Sequence, residues 1–245
     1  MMFRLLVLGA VGLFAFGICG CTNAPGRPRS GEMPAIPSEV SDFGTLYGQN
    51  CAGCHGADGK GGAAIALANP VYLAIADDAI VRYATASGIP GTSMPAFAQS
   101  AGGMLTDKQV DVIVRGIRDH WLKPDVLLGA DPPPYSSSAS GDSTRGSEVY
   151  AKYCSSCHGA GGHGGQTASS IVDGSFLALV SDQELRTIVI AGRPELGAPD
   201  WRSDTPGKPM SPQDISDVVA WLASQRPKFS GQPFPRTARW MGETR

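Results

Sequence analysis

The sequence predicts an all-α protein made of two tandem small domains joined by a Pro/Ser-rich linker. Three observations predict it. The pattern Cys-x-x-Cys-His occurs twice, at 51–55 and 154–158. Each copy follows a short helical pattern and runs into a Gly-rich loop, 56–62 and 159–165. Each is closed downstream by apolar residues at i, i+3, i+4 and i+7, the period of a helix lying on a core.

Composition sets the outer bounds. The 245 residues are 42% hydrophobic, enough for a packed core, and 17% charged. A net charge of −2 excludes a strongly basic protein that coats nucleic acid. The chain holds 6 Cys and 4 His, and the two pentapeptides take most of the Cys and half of the His.

Taken in order, Arg4 precedes an apolar run at 5–18. That run is shorter than the ~20 residues a spanning helix needs and fits the apolar stretch of an export signal. Its end, Ile18-Cys19-Gly20-Cys21, resembles the lipobox of bacterial lipoproteins. The resemblance implies a signal peptide at 1–20, lipidation of Cys21 and a tether at 21–38. An uncleaved anchor with two spare thiols is the alternative. Either way the rest of the chain is expected outside the cytoplasmic membrane and tethered there; the lipoprotein resemblance implies a lipid anchor on the periplasmic side of a bacterial membrane.

Leu46, Tyr47 and Cys51 share one helical face before the first motif, as do Val149, Tyr150 and Cys154 before the second. Helices are predicted over 76–87, ending at Gly88, and 180–191, ending at Gly192. Thr106 caps a helix whose apolar face is Val110, Ile113, Val114, Ile117 and Trp121. Ser211 caps its counterpart, with Ile215, Val218, Val219 and Leu222. Leu105 and Met210 precede these caps, where an apolar residue staples a helix start. Between the repeats, 129–143 reads as a linker with Pro132-Pro133-Pro134 and Ser136-Ser137-Ser138, semi-rigid at its Pro end. The tail at 227–245 is basic and holds Phe229, Phe234 and Trp240. It fits docking on a membrane or partner as well as it fits a disordered terminus.

The motif has a chemical reason. Two thiols three residues apart lie about one helical turn apart, so both can bond the vinyl groups on one edge of a porphyrin. The adjacent His then supplies an axial bond to the iron. A zinc site would be short of ligands, and no βαβ pattern for a thioredoxin-like site is visible. Cys51, Cys54, Cys154 and Cys157 are thus expected to attach two covalent haem c groups, with His55 and His158 as metal ligands.

Helix, Cys-x-x-Cys-His, loop, helix, Met-Pro loop and closing helix is the order of the small c-type cytochromes, which 39–128 and 144–226 resemble. The chain is similar to tandem two-haem members that carry electrons outside the cytoplasmic membrane. The resemblance implies that Met94, in Met94-Pro95-Ala96-Phe97, binds the first iron opposite His55. A loop Met packed on the haem edge is the bland alternative, and Met104 a weaker competitor. In the second repeat the matching loop reads Gly197-Ala198-Pro199-Asp200-Trp201, so Ala198 stands where Met94 does. Met210, His163 or an open position remains for that iron. The resemblance also suggests that a backbone carbonyl, Pro70 in one repeat and Gly174 in the other, orients each His.

The expected function is an electron carrier and not an enzyme, with no catalytic residue. It would pass electrons from a membrane quinol-oxidising complex to a terminal oxidase or another reductase. The alternative is a haem enzyme or gas and ligand sensor using an open second iron, with Arg193 and Arg202 beside it.

Overall fold

The computed structural model describes residues 35–203 and 208–228. The signal segment, Cys21 and the aromatic residues of the tail lie outside the described residues. Residues up to Glu39 form a unit of their own, of which one turn at Pro37–Glu39 is described. Both repeats fall in a second compact unit that begins at Val40.

In the first repeat, α1 (Phe43–Asn50) starts where the Asp42 carboxylate accepts from Thr45 N at 2.7 Å. A single turn, α2 (Ala52–His55), carries the motif. Next come α3 (Pro70–Ile75), α4 (Asp78–Ser87) and α5 (Asp107–Trp121). The second repeat has the same order. Its helices are α6 (Ser143–Tyr153), α7 (Ser155–His158), α8 (Gly174–Leu179), α9 (Asp182–Ala191) and α10 (Pro212–Ser224). Among the described residues there is no strand, and two isolated bridges, Ala98 with Leu105 and Arg193 with Ala198, are the extent of β pairing.

The closing helices begin as the sequence predicts, with reciprocal capping boxes at Thr106 with Gln109 and Ser211 with Asp214. The helix expected over 76–87 is shorter. Ala76 is extended, and Asp77 caps a fresh helix by accepting from Ile80 N at 2.8 Å. The helix expected over 180–191 likewise starts only after Ser181, which caps Glu184 N. Two short helices escaped the apolar periodicity, α3 and α8, because six residues are too few to show one.

In each repeat the first and last helices cross, and glycine admits the crossing. A methyl on Gly116 of α5 would lie 2.1 Å from the Phe43 ring of α1. In the second repeat the small residue is on the other helix. A methyl on Gly146 of α6 would meet Asp217 O at 2.0 Å and Trp221 Cβ at 2.7 Å. Behind the crossings Val110, Ile113 and Ile117, and in the second repeat Ile215, Val218 and Leu222, are buried. Each contributes roughly 1.5–3 kcal/mol of transfer free energy.

The linker is docked along the second repeat. Arg186 is 4% exposed; its guanidinium donates to Pro134 O at 2.8 Å and Tyr135 O at 3.1 Å. Gln183 also donates to Tyr135 O, and the hydroxyls of Ser137 and Ser216 are 2.9 Å apart.

Candidate haem sites

The first motif begins at the end of α1. Cys51 is buried and Cys54 exposed, one turn apart, and neither is in a disulfide. Burial, then the neighbouring Cys54, pushes the Cys51 thiol up to about 11, and burial with Cys157 does the same to Cys154. Neither Cys51 nor Cys154 has the lowered value of an activated redox cysteine.

His55 Nδ1 is 2.7 Å from Ile65 O, and His158 Nδ1 is 2.9 Å from Ser169 O. As donors to these carbonyls, both rings carry the proton on Nδ1 and leave Nε2 free for a metal. A backbone carbonyl thus does orient each His, but Ile65 and Ser169 replace Pro70 and Gly174. The reason lies in the loop. Gly56, at φ 85°, turns the chain back so tightly that a methyl there would sit 1.8 Å from Lys60 O. Pro70 instead opens α3, the helix capped by Asn69.

The turn is held from behind by aromatic residues. Tyr47 donates from its hydroxyl to Gly56 O at 2.8 Å and meets Trp121 edge-on at 5.1 Å. Tyr150 donates to Gly159 O and stacks on Trp221 at 4.4 Å. Trp121 lies over Gly59 and Trp221 over Gly162. Trp221 is therefore a packing residue of the core, as is buried Trp201. Two free thiols and a tautomer-fixed imidazole on one tight turn are the donor set for a covalent haem, and the residues fit it in both repeats.

The distal loops superimpose in their bonding. Ile89 N donates to Met94 O and Arg193 N to Ala198 O, both at 3.0 Å. A methyl on Gly88 would meet Met94 O, Pro95 and Ala96, and one on Gly192 would meet Pro199 and Asp200. Ala198 therefore occupies the backbone place of Met94, which is half-buried. Met210 N donates to Trp201 O as Leu105 N does to Phe97 O, both at 2.8 Å. Met210 and Leu105 are each 6% exposed. Met104 is largely exposed, and so is His163.

Arg193 and Arg202 face other duties than a distal anion. Arg193 pairs with Glu195 and donates to Gly62 O of the first repeat at 3.1 Å. Arg202 grips Asp200 and donates to Val126 O at 3.2 Å. Asn69 forms a third link between the repeats. Its Oδ1 caps α3 while its Nδ2 donates to Ala191 O at 2.9 Å and Gly192 O at 3.2 Å. Sequence reasoning missed Asn69 and the link made by Arg193. Asn69-Pro70 carries the signal of a helix start that could have located α3, but nothing in the sequence marks the second partner of Asn69.

Two segments of the chain, 38–115 and 141–222, match the family described as Cytochrome C oxidase, cbb3-type, subunit III. The Cbb3-type cytochrome c oxidase subunit CcoP of Azospirillum sp. (strain B510) is 30% identical over 141 residues, 53% of this chain and 42% of that protein. The Cytochrome bc1 complex cytochrome c subunit of Mycobacterium tuberculosis (strain ATCC 25618 / H37Rv) is 25% identical over 196 residues, 77% of this chain and 68% of that one. A chain of the Kuenenia stuttgartiensis reducing HAO-like protein complex has 17% identity and a TM-score of 0.44, covering 79% of this chain and 100% of its own. At that score the likeness carries no argument.

Proposed function

Because the chain belongs to the cytochrome c family of cbb3-type oxidase subunit III, we propose that it holds two covalent haems and hands electrons from a membrane quinol-oxidising complex to a terminal oxidase or reductase. Membership makes it an electron-transfer cytochrome c with covalent haem. The observation that carries the finer reading is the duplication of the whole site, thiols, tautomer-fixed His and tight loop, within one compact unit. The relatives named for a bc1 complex and for a cbb3 oxidase support partners at either end of such a chain.

Cys51 with Cys54, and Cys154 with Cys157, hold the haem edges. His55 and His158 would each ligate an iron through the free ring nitrogen, held in orientation by Ile65 O and Ser169 O. Met94 would supply the second protein ligand at the first site. When bound, the haem supplies a one-electron iron couple, and a thioether ligand raises its potential. Tyr47 with Trp121, and Tyr150 with Trp221, back the turn in each repeat. Cys21 anchors the chain to the membrane by lipid, a reading supported by the lipobox-like Ile18-Cys19-Gly20-Cys21 that follows the apolar run. No helix among the described residues is long and apolar enough to cross a membrane.

The test is haem-loaded full chain mixed with quinol-fed membranes, then with oxidase-containing membranes. Two haems per chain by pyridine haemochrome, with rapid reduction and reoxidation, is the expected result. One haem per chain, or no reoxidation by any acceptor, rejects the reading.

A second reading concerns the second iron alone. Ala198 in the place of Met94, and Met210 in that of Leu105, favour a site that takes up a small ligand while the first haem relays electrons. Electron paramagnetic resonance of the ferric full chain beside Met210→Ala decides. A low-spin second signal lost in the variant makes Met210 the ligand and the protein a two-haem wire. A high-spin signal in both supports the second reading.

A further inference from the structure

Two charged residues of the second repeat reach the first, and one of them, Arg193, bonds the loop that follows the first motif. The main chain of Arg193 pairs both ways with Ala198, each bond 3.0 Å, and so belongs to the second distal loop. Its guanidinium donates to Gly62 O. Gly62 lies on the first motif, since a methyl there would be 2.1 Å from Cys54 O. Glu195 pairs with Arg193 at 2.5 Å, and the two side chains are only 14% and 15% exposed.

We infer that Arg193 and Glu195 are positioning residues through which the second repeat sets the potential of the first haem. The inference rests on the two-haem reading. Reduction adds one electron to the iron and changes no bond, so a nearby positive charge favours the reduced form and a negative charge the oxidised form. Both side chains are largely buried, so solvent and salt screen them less than surface charges. Each offsets the other. Removing Arg193 leaves an unpaired negative charge beside the first site, and removing Glu195 leaves an unpaired positive one.

The experiment is a mediated spectroelectrochemical titration of the haem-loaded full chain, wild type beside Arg193→Gln and Glu195→Gln, after haem counting. At a fixed potential, the reduced-to-oxidised ratio of one haem is expected to fall about three- to tenfold in Arg193→Gln and to rise in Glu195→Gln. Tenfold corresponds to about 59 mV for one electron. Loosening of the loop alone moves both variants in the same direction. Two haems with shifts of one sign, or with none, overturn the inference and leave the two-haem reading standing. One haem per chain overturns both. If Arg193→Gln does not fold, the absence of a rise in Glu195→Gln is sufficient to overturn the inference.

Discussion

Asn69 uses every hydrogen-bonding site of its side-chain amide. The oxygen accepts from Val71 N and Tyr72 N at the start of α3, and the nitrogen donates to two carbonyls at the end of α9. It is 3% exposed, so water cannot replace these bonds. In Asn69→Ala the lost cap costs about 1 kcal/mol. The undersupplied buried carbonyls cost about 1–3 kcal/mol more. Guanidinium denaturation of the haem-loaded chain is expected to show a loss of roughly 2–4 kcal/mol. Asn69→Asp keeps the cap and loses the donors, which separates the two halves. A loss under about 0.5 kcal/mol in Asn69→Ala means that the link between the repeats is not made by this residue.

At the scale of elements, the two helix crossings solve one packing problem with opposite residues. The first repeat sets Phe43 on α1 against Gly116 on α5, and the second sets Gly146 on α6 against Trp221 on α10. The obstacles differ in kind. An added methyl at Gly116 meets an aromatic ring that can turn, whereas at Gly146 it meets the backbone carbonyl of Asp217. Gly146→Ala is therefore expected to cost about 2–3 kcal/mol and Gly116→Ala about 1 kcal/mol. Adding Phe43→Leu makes room only in the first crossing. Thermal denaturation of the double variant should recover part of the Gly116→Ala loss. Equal losses at the two glycines, with no recovery, mean that backbone and ring yield alike.

For the whole molecule, the junction between repeats holds two ionisable groups out of full contact with water, buried Tyr72 and partly buried Glu184. Tyr72 is fully buried, which raises its pKa, with Tyr135 and Glu184 adding and Arg118 opposing. Burial raises the Glu184 carboxyl, and its bond from Ser181 only partly offsets this. The folded value lies above the unfolded one, so the charge costs stability at neutral pH. The cost disappears once pH falls below about 4.5, where both states are protonated. Glu184→Gln removes the charge and keeps an acceptor for Ser181. The variant is expected to melt above the wild type at pH 7 and to converge with it by pH 4. A difference independent of pH assigns the effect to packing instead.

Some of this was legible before any fold. The thiols, the two His and the capped closing helices follow from local rules of spacing and capping, which a linear pattern records. The replacement of Met94 by Ala198 was also readable, because Gly88 and Gly192 fix the register. Tertiary structure decided which carbonyl each His meets, since a loop folding back at Gly56 brings Ile65 and not Pro70 to the ring. It showed that Met210 and Leu105, already matched by their place before the caps, make the same backbone bond and are equally buried. It decided, too, that the repeats share one compact unit, because Asn69, Arg193 and Arg202 bond partners more than 70 positions away. Spacing along a chain encodes contacts one or two turns apart. Contacts at that separation depend on how whole helices pack, and no short motif carries them.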